Sequence, residues 1–210
     1  MEAEIVRDCG LQASGLIDSK IGGPSIYPPQ PDGVYAFTQS KSAWPTSMGG
    51  DRFRRGIYTF FRRSAPYPML TTFDTPRFDT TCTRRLRSNT PLQSLTLAND
   101  AAMLEVATAL GKKLWEHEGD AAQSVAVAFE ACLSRLPSDD ETRSVIEYWR
   151  AQSAELEDDP KATEALLSNL SKQPGWPQTV TGDPRRDAQR AAWVMVARVI
   201  MNLDEFVTRE

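Results

Sequence analysis

The stretch NTPLQSLTLANDAAMLEVATALGKKL, residues 89–114, decides the fold of this chain. It opens with Asn89, Thr90 and Pro91, a polar cap followed by a proline in the first helical turn, where a missing N–H costs nothing. Apolar side chains then recur at helical spacing: Leu92, Leu95, Met103, Val106, Leu110 and Leu114. The pattern predicts one amphipathic helix that runs to about Leu114 and must bury one face against other helices.

The rest of the chain supplies those helices. Further helices are predicted from Asp120 to Arg135, from the Ser138 capping box to about Glu157, after Asp159 and Pro160, and from Asp183 and Pro184 to Leu203. An amphipathic helix is also predicted over residues 3–20, ended by Gly22 and Gly23. The chain is therefore expected to be mainly α: a helix over 1–21, an irregular Pro- and Arg-rich segment over 22–88 and a helical bundle over 89–210, together part of one domain.

The irregular segment is expected to be extended rather than helical. Four prolines fall between residues 24 and 31, and proline forces extended and turn conformations. The β-branched and aromatic run GIYTFF, residues 56–61, and residues 69–73 could form two short strands.

Composition restricts the class of function. The 210 residues carry a net charge of −4, which argues against a chain that coats nucleic acid. Positive charge is nevertheless concentrated, since residues 51–87 hold nine arginines, no lysine and three acids. Guanidinium groups favour bidentate pairing with carboxylates, phosphates or sulfates and stacking on aromatic rings.

Several other classes of site are not supported. Cys9, Cys82 and Cys132 occur singly beside one histidine, so neither a metal nor a haem is expected in this chain. No apolar run reaches the length of about 20 residues that a membrane span needs. The start MEAEIVRDCG does not resemble a signal peptide, so the sequence taken alone indicates a cytoplasmic protein.

The arginines just before residue 89 form the strongest candidate site. Arg84, Arg85 and Arg87 precede a helix N-terminus, whose free N–H groups and dipole also attract anions. The candidate ligand-binding residues are Arg62, Arg63, Asp74, Arg84, Arg85, Arg87, Asn89, Gln93, Asn99 and Asp100. Alternatively, the anions are the protein's own carboxylates, in an internal network: Asp74, Asp79, Asp100, Asp204 and Glu205.

Four motifs in this chain resemble a known family. They are GLIDSKIGGPSIYPPQPDGVY, RRGIYTFFRRSAPYPMLTTFDTP, CTRRLRSNTPLQSLTLAND and the ending NLDEFVTRE. In this order they resemble the planctomycete cytochrome-associated domain of unknown function, family 1553. The resemblance implies that the chain is the C-terminal portion of a longer exported protein, periplasmic or on the cell surface. Haem would then belong to a preceding module, and the family supplies no established activity or catalytic residue.

Three functions remain open from the sequence. The first is an accessory helical domain of an exported, cytochrome-linked protein, whose arginine and carboxylate cluster positions an acidic group or a partner domain. The second is an enzyme domain for anionic or sulfated polysaccharide, with Arg84, Arg85 and Arg87 on the anion and Asp74 or Asp100 as acid or base. The third is purely structural packing.

Overall fold

A computed structural model describes residues 1–35, 43–171, 173, 176 and 179–208. Its α-helices, in chain order, are α1 (Ala3–Ser14), α2 (Pro68–Thr72), α3 (Pro91–Asn99), α4 (Ala101–Trp115), α5 (Ala121–Leu133), α6 (Asp139–Glu157), α7 (Pro160–Leu167), α8 (Pro184–Ile200) and α9 (Asp204–Val207). The predicted mainly helical fold is confirmed.

Helix α8 is the centre of the bundle and packs against α4, α6 and α7. Its buried side is rich in small residues, all fully enclosed: Ala188, Ala191, Ala192 and Ala197. Gly111 of α4 lies against it so closely that a Cβ atom there would stand 2.8 Å from the backbone nitrogen of Val194. The α4–α8 contact therefore depends on the absence of a side chain at residue 111.

The predicted helix starts are confirmed by their caps. Thr90 accepts a hydrogen bond from the backbone N–H of Gln93, whose side chain in turn accepts one from the backbone N–H of Thr90. Ser138 and Glu141 form the same reciprocal capping box at α6. Each box satisfies two backbone N–H groups that have no partner inside the helix, which is why these starts can be read from sequence.

The single helix predicted from residue 91 to residue 114 is wrong. The helix is interrupted at Asp100, whose backbone is extended (φ −65°, ψ 136°) between α3 and α4. Its carboxylate accepts hydrogen bonds from the N–H groups of Ala102 at 2.9 Å and Met103 at 3.3 Å, so it caps a new helix. The apolar periodicity continues across the break and conceals it.

The first and last predicted helices are shorter than expected. Helix α1 ends at Ser14 because Gly15 adopts the left-handed conformation (φ 76°) that closes a helix C-terminus. Helix α8 ends at Ile200, and Leu203 instead precedes the short helix α9.

The two predicted short strands are also wrong. Gly56–Tyr58 is a turn of 3-10 helix, and residues 68–72 form α2, with Pro68 at a first-turn position that suits it. In the described residues, strand-like pairing is limited to isolated parallel bridges between Asp18 and Arg54 and between Ile26 and Thr59. In these two stretches Met69, Leu70 and Phe73 are buried in the core, whereas Ile57 is 71% exposed, so the β-branched and aromatic composition did not reflect strand pairing.

The two ends of the described chain meet. The backbone nitrogen of Met1 donates a hydrogen bond to the carbonyl of Val207 at 2.6 Å. The region that precedes α1 therefore lies against α9, although the two bonded residues are 206 positions apart along the chain.

Candidate functional site

We call residues 84–87 the arginine run. Arg85 lies between two carboxylates at the start of α1, with Nη1 3.1 Å from Glu2 Oε2 and Nη2 2.7 Å from Glu4 Oε2. Arg87 approaches the other oxygen of Glu2 at 3.7 Å. The run therefore has internal carboxylate partners, but they are Glu2 and Glu4 rather than the acids suggested by the sequence.

Part of the run remains open to solvent. Arg84 is exposed, and its guanidinium has no hydrogen bond or ion pair within the described part of the chain. The Arg87 side chain is 65% exposed. Leu86 between them is 77% exposed. The run thus combines one satisfied arginine with two accessible guanidinium groups and an accessible apolar side chain.

The polar residues that follow the run hold its loop in place. Asp74 accepts hydrogen bonds from the backbone N–H of Ser88 at 2.7 Å and from its hydroxyl at 2.6 Å. The amide of Asn89 donates to the carboxylate of Asp204 in α9. These contacts anchor both sides of the entry to α3.

Gln93 is buried and combines capping with loop anchoring. Its Oε1 accepts from the Thr90 N–H at 3.0 Å, and its Nε2 donates to the Thr72 carbonyl at 3.0 Å and to Ser88 Oγ at 3.1 Å. The side chain is therefore satisfied within the protein, and it joins α2, the loop and α3.

Replacing Gln93 by alanine is expected to lower the free energy of unfolding by about 1–3 kcal/mol, because a buried side chain with three side-chain hydrogen bonds is lost. Gln123 is the matched control, since it has the same capping-box role at α5 but is exposed. Gln123→Ala should change stability by only about 0.5 kcal/mol. Urea unfolding of both variants makes the comparison, and equal losses would contradict a special role for Gln93.

Asn99 and Asp100 act locally. The amide of Asn99 donates to the Leu95 carbonyl at 2.9 Å, at the end of α3. Asp100 caps α4, as described above, and is 8% exposed. The unfavourable polar pair noticed in the sequence marks a helix boundary.

Arg62 and Arg63 belong to a different neighbourhood. The Arg62 guanidinium lies 4.4 Å from the centre of the Tyr35 ring, a cation–π contact. Both arginines line a cavity of about 560 Å³ together with aromatic side chains that include Trp44 and Phe60. The structure thus places them in the irregular segment, with an aromatic cluster rather than with the arginine run.

Sequence reasoning missed a buried charged cluster between α1, α4 and the irregular segment. Arg52 makes a bidentate contact with Glu105, at 2.8 Å and 2.5 Å. Arg7 donates to the carbonyls of Arg54 at 2.6 Å and Arg52 at 2.9 Å. Arg54 itself is fully buried and donates to the carbonyls of Pro24 and Gly22. A signal was present, since Glu105 is an acid inside the otherwise apolar run AAMLEVATAL.

Burial shifts the pKa values of Glu105, Asp100 and Arg7 away from their ordinary values. Burial raises the pKa of Glu105, although the hydrogen-bonded Arg52 opposes the rise. It also raises the pKa of Asp100, against the hydrogen bonds from Ala102 and Met103, and it lowers the pKa of Arg7. Such shifts often mark catalytic groups. Here both buried carboxylates already have partners inside the protein: Asp100 caps α4 and Glu105 pairs with Arg52. We therefore interpret the cluster as structural.

The described residues contain no group of three or more His, Cys, Asp and Glu side chains that could hold a metal ion. None of the helices in that part of the chain is long and apolar enough to cross a membrane. The Cys82 side chain is exposed and the Cys132 side chain is buried, and neither forms a disulfide with a described residue.

Comparison with known proteins gives one result. A family model described as PSD1, Protein of unknown function (DUF1553), matches residues 1–149. No curated protein and no solved structure matches the chain. The match includes α1, the irregular segment, the arginine run and the helices up to the first part of α6.

Proposed function

The chain belongs to the DUF1553 family of proteins of unknown function, and on that premise we propose that it is a non-catalytic helical domain that positions an acidic neighbouring domain of the same polypeptide. The contact surface is the arginine run with Glu2 and Glu4. Arg85 keeps the surface in shape, and Arg84, Leu86 and Arg87 contact the neighbour.

The observation that carries this proposal is the position of the run beside residues 1 and 2 and helix α9. Glu2 contacts Arg85 and Arg87, and the adjacent Met1 nitrogen contacts Val207. Asn89, just after the run, contacts Asp204 of α9. Residues 1 and 2 and helix α9 therefore lie beside the run, and a neighbouring domain that contacts them would also reach the run.

The chemistry of the run favours an acidic partner. Arg84 has no carboxylate partner in the described residues, and Arg87 makes only a long contact with Glu2. Accessible guanidinium groups pair well with carboxylates, and arginine is enriched at protein interfaces. Leu86 adds an exposed apolar side chain between them, as expected of a small contact surface.

The resemblance of its motifs supports the surroundings that we propose for this domain. The parent is an exported, cytochrome-linked protein, periplasmic or on the cell surface, and haem is bound in another module. In this proposal the chain itself supplies contact and orientation, and no catalytic residue is assigned to it.

The test combines the surrounding open reading frame with a binding measurement. The remainder of the encoded protein is produced separately and titrated with this chain by calorimetry. Arg84→Glu together with Arg87→Glu should weaken binding by about tenfold or more and should reduce its salt dependence, because two interfacial cations become anions.

The matched control is Arg143→Glu with Arg150→Glu, which makes the same charge change on the exposed side of α6. It should leave the affinity unchanged. The Arg84/Arg87 variant should retain its thermal stability, since exposed ion pairs contribute about 0–1 kcal/mol. Unfolding of that variant would support the purely structural alternative, and unchanged affinity, or an open reading frame with no further domain, would overturn the proposal.

A further inference from the structure

Three tryptophans line one cleft to which the arginine run does not contribute. The cleft lies between the end of α4, the start of α5, α6 and α8, and it has a volume of about 270 Å³. Its walls include Trp115, Trp149, Trp193, His117, Arg186 and Arg190. We call it the tryptophan cleft.

The indole rings are held in fixed positions. Trp149 and Trp193 stack with their centroids 5.3 Å apart and their planes 28° from parallel. The Trp149 N–H donates to the Gln189 carbonyl at 3.1 Å. The Arg190 guanidinium lies 5.6 Å from the centre of the Trp115 ring. An aromatic wall of this kind is already ordered, so a ligand would not have to order it on binding.

The charged groups of the cleft differ in whether they already have partners within the protein. Arg190 donates to the Thr179 carbonyl at 3.0 Å in addition to its contact with Trp115. The carboxylate of Asp120 accepts from the Gln123 N–H at 2.9 Å as the cap of α5. Arg186, by contrast, is exposed and has no ion pair or side-chain hydrogen bond in the described residues. One cation is therefore free to bind one anionic group.

Size and chemistry together define the ligand. The volume is slightly below the range of about 300–1,000 Å³ found for pockets that enclose drug-sized molecules, so it suits one ring. Indole rings offer flat apolar surfaces with a polar edge. A guanidinium pairs with planar or tetrahedral oxyanions such as carboxylate, sulfate and phosphate, and one guanidinium suits an anion of low charge such as a carboxylate or a sulfate ester. A phosphate chain would need several free cations, and the described lining residues offer Arg186 alone among the arginines.

We propose that the tryptophan cleft binds one sugar ring that carries a carboxylate or sulfate group, with the ring against the half-buried Trp115 and Trp149, the buried Trp193 behind Trp149, and the anion on Arg186. This site is separate from the arginine run. The anionic glycan considered from the sequence would then bind at a place that sequence reasoning did not indicate, since the three tryptophans lie on three different helices.

The experiment uses paired probes that differ only in charge. The chain is titrated by calorimetry with an oligogalacturonate, with its methyl ester, and with a sulfated and an unsulfated galactan oligosaccharide. We expect binding of at least one acidic probe with a dissociation constant of about 1 mM or tighter, and weaker binding of its uncharged counterpart. The carboxylated and sulfated arms distinguish the two forms of the anion.

Substitutions at Arg186 and Trp115 test whether the probes bind in the tryptophan cleft. Arg186→Ala should weaken binding of the acidic probe by about tenfold or more, the effect of losing one charge-assisted hydrogen bond, and should leave the uncharged probe unchanged. Trp115→Ala should weaken both probes, and Trp115→Phe should recover part of the loss if the alanine variant is unstable. Arg143→Ala is the surface control, and Arg84→Ala should have no effect.

The outcomes are decisive in both directions. No detectable binding of either acidic probe, or acidic-probe binding that is insensitive to Arg186→Ala, would overturn the proposal. Loss of glycan binding on Arg84→Ala would place the glycan site at the arginine run instead. Since neither result depends on a partner domain, the tryptophan cleft and the proposed domain contact can fail independently.

Discussion

Arg52→Ala is expected to lower the free energy of unfolding by about 3–5 kcal/mol, the usual effect of removing one partner of a buried ion pair. The Arg52 and Glu105 side chains are 8% and 9% exposed. Without the guanidinium, Glu105 would keep a buried carboxylate with only the more distant Arg7 to stabilise its charge. Urea unfolding at pH 7 measures the loss.

The matched control is Arg55→Ala. Arg55 also forms an ion pair, with Asp8 at 3.0 Å, but its side chain is 58% exposed. An exposed pair contributes about 0–1 kcal/mol. If Arg52→Ala were as mild as Arg55→Ala, the buried pair would not be a main contributor to stability.

The pH dependence provides an independent readout of the same variant. Burial of the Glu105 carboxylate raises its pKa, and Arg52 opposes that rise. In Arg52→Ala this opposition is lost, so the pKa of Glu105 in the folded state should rise further above its value in the unfolded state. The folded state then binds more protons than the unfolded state between these two pKa values, and stability falls as pH rises through that interval. The variant should therefore be closer to wild type at pH 5 than at pH 8, and Arg52→Ala with Glu105→Gln should lose this dependence.

Gly111→Ala is expected to destabilise the protein by about 1–3 kcal/mol, as overpacking of a core contact does. A Cβ atom at this position would lie 2.8 Å from the nitrogen and 2.9 Å from the Cα of Val194, and a helix backbone cannot move aside as a side chain can. Alanine normally stabilises a helix interior by about 1 kcal/mol relative to glycine, so the expected loss reverses the usual sign.

Gly10→Ala is the control for the second prediction. Gly10 lies inside α1, and its added Cβ would meet only side-chain atoms, Val106 Cγ1 at 3.2 Å and the Met103 methyl group at 3.4 Å. Methionine adapts readily to a changed space. The stability of Gly10→Ala should stay within about 1 kcal/mol of wild type. If thermal melts showed equal losses for Gly10→Ala and Gly111→Ala, the close backbone approach of α4 and α8 would not explain the loss at Gly111.

Local signals account for the features that were predicted correctly. The starts of α3 and α6 could be read because the capping residues and the groups they satisfy lie within three positions of each other. The mainly helical class follows from the same caps and from apolar periodicity. The helix boundary at Asp100 was not predicted because the hydrophobic pattern continues without interruption from α3 into α4.

Partners distant in the chain account for what could not be predicted. Arg85 pairs with Glu2 and Glu4, more than 80 positions away, and Arg52 pairs with Glu105. Nothing in the composition separates Arg52, which is buried, from Arg84, which is open to solvent. The density of arginines was visible in the sequence, but the choice between internal pairing and external contact depends on the fold.

The hydrogen bond between Met1 and Val207 holds residues 1 and 2 and helix α9 side by side, next to the arginine run. A neighbour tethered to these segments by a short linker would be held close to Arg84 and Arg87 at an effective concentration in the millimolar range. An intrinsic dissociation constant of about 1 mM would then be enough to keep the surface occupied much of the time. Affinity measured between separated pieces can accordingly be modest while the joined protein stays docked.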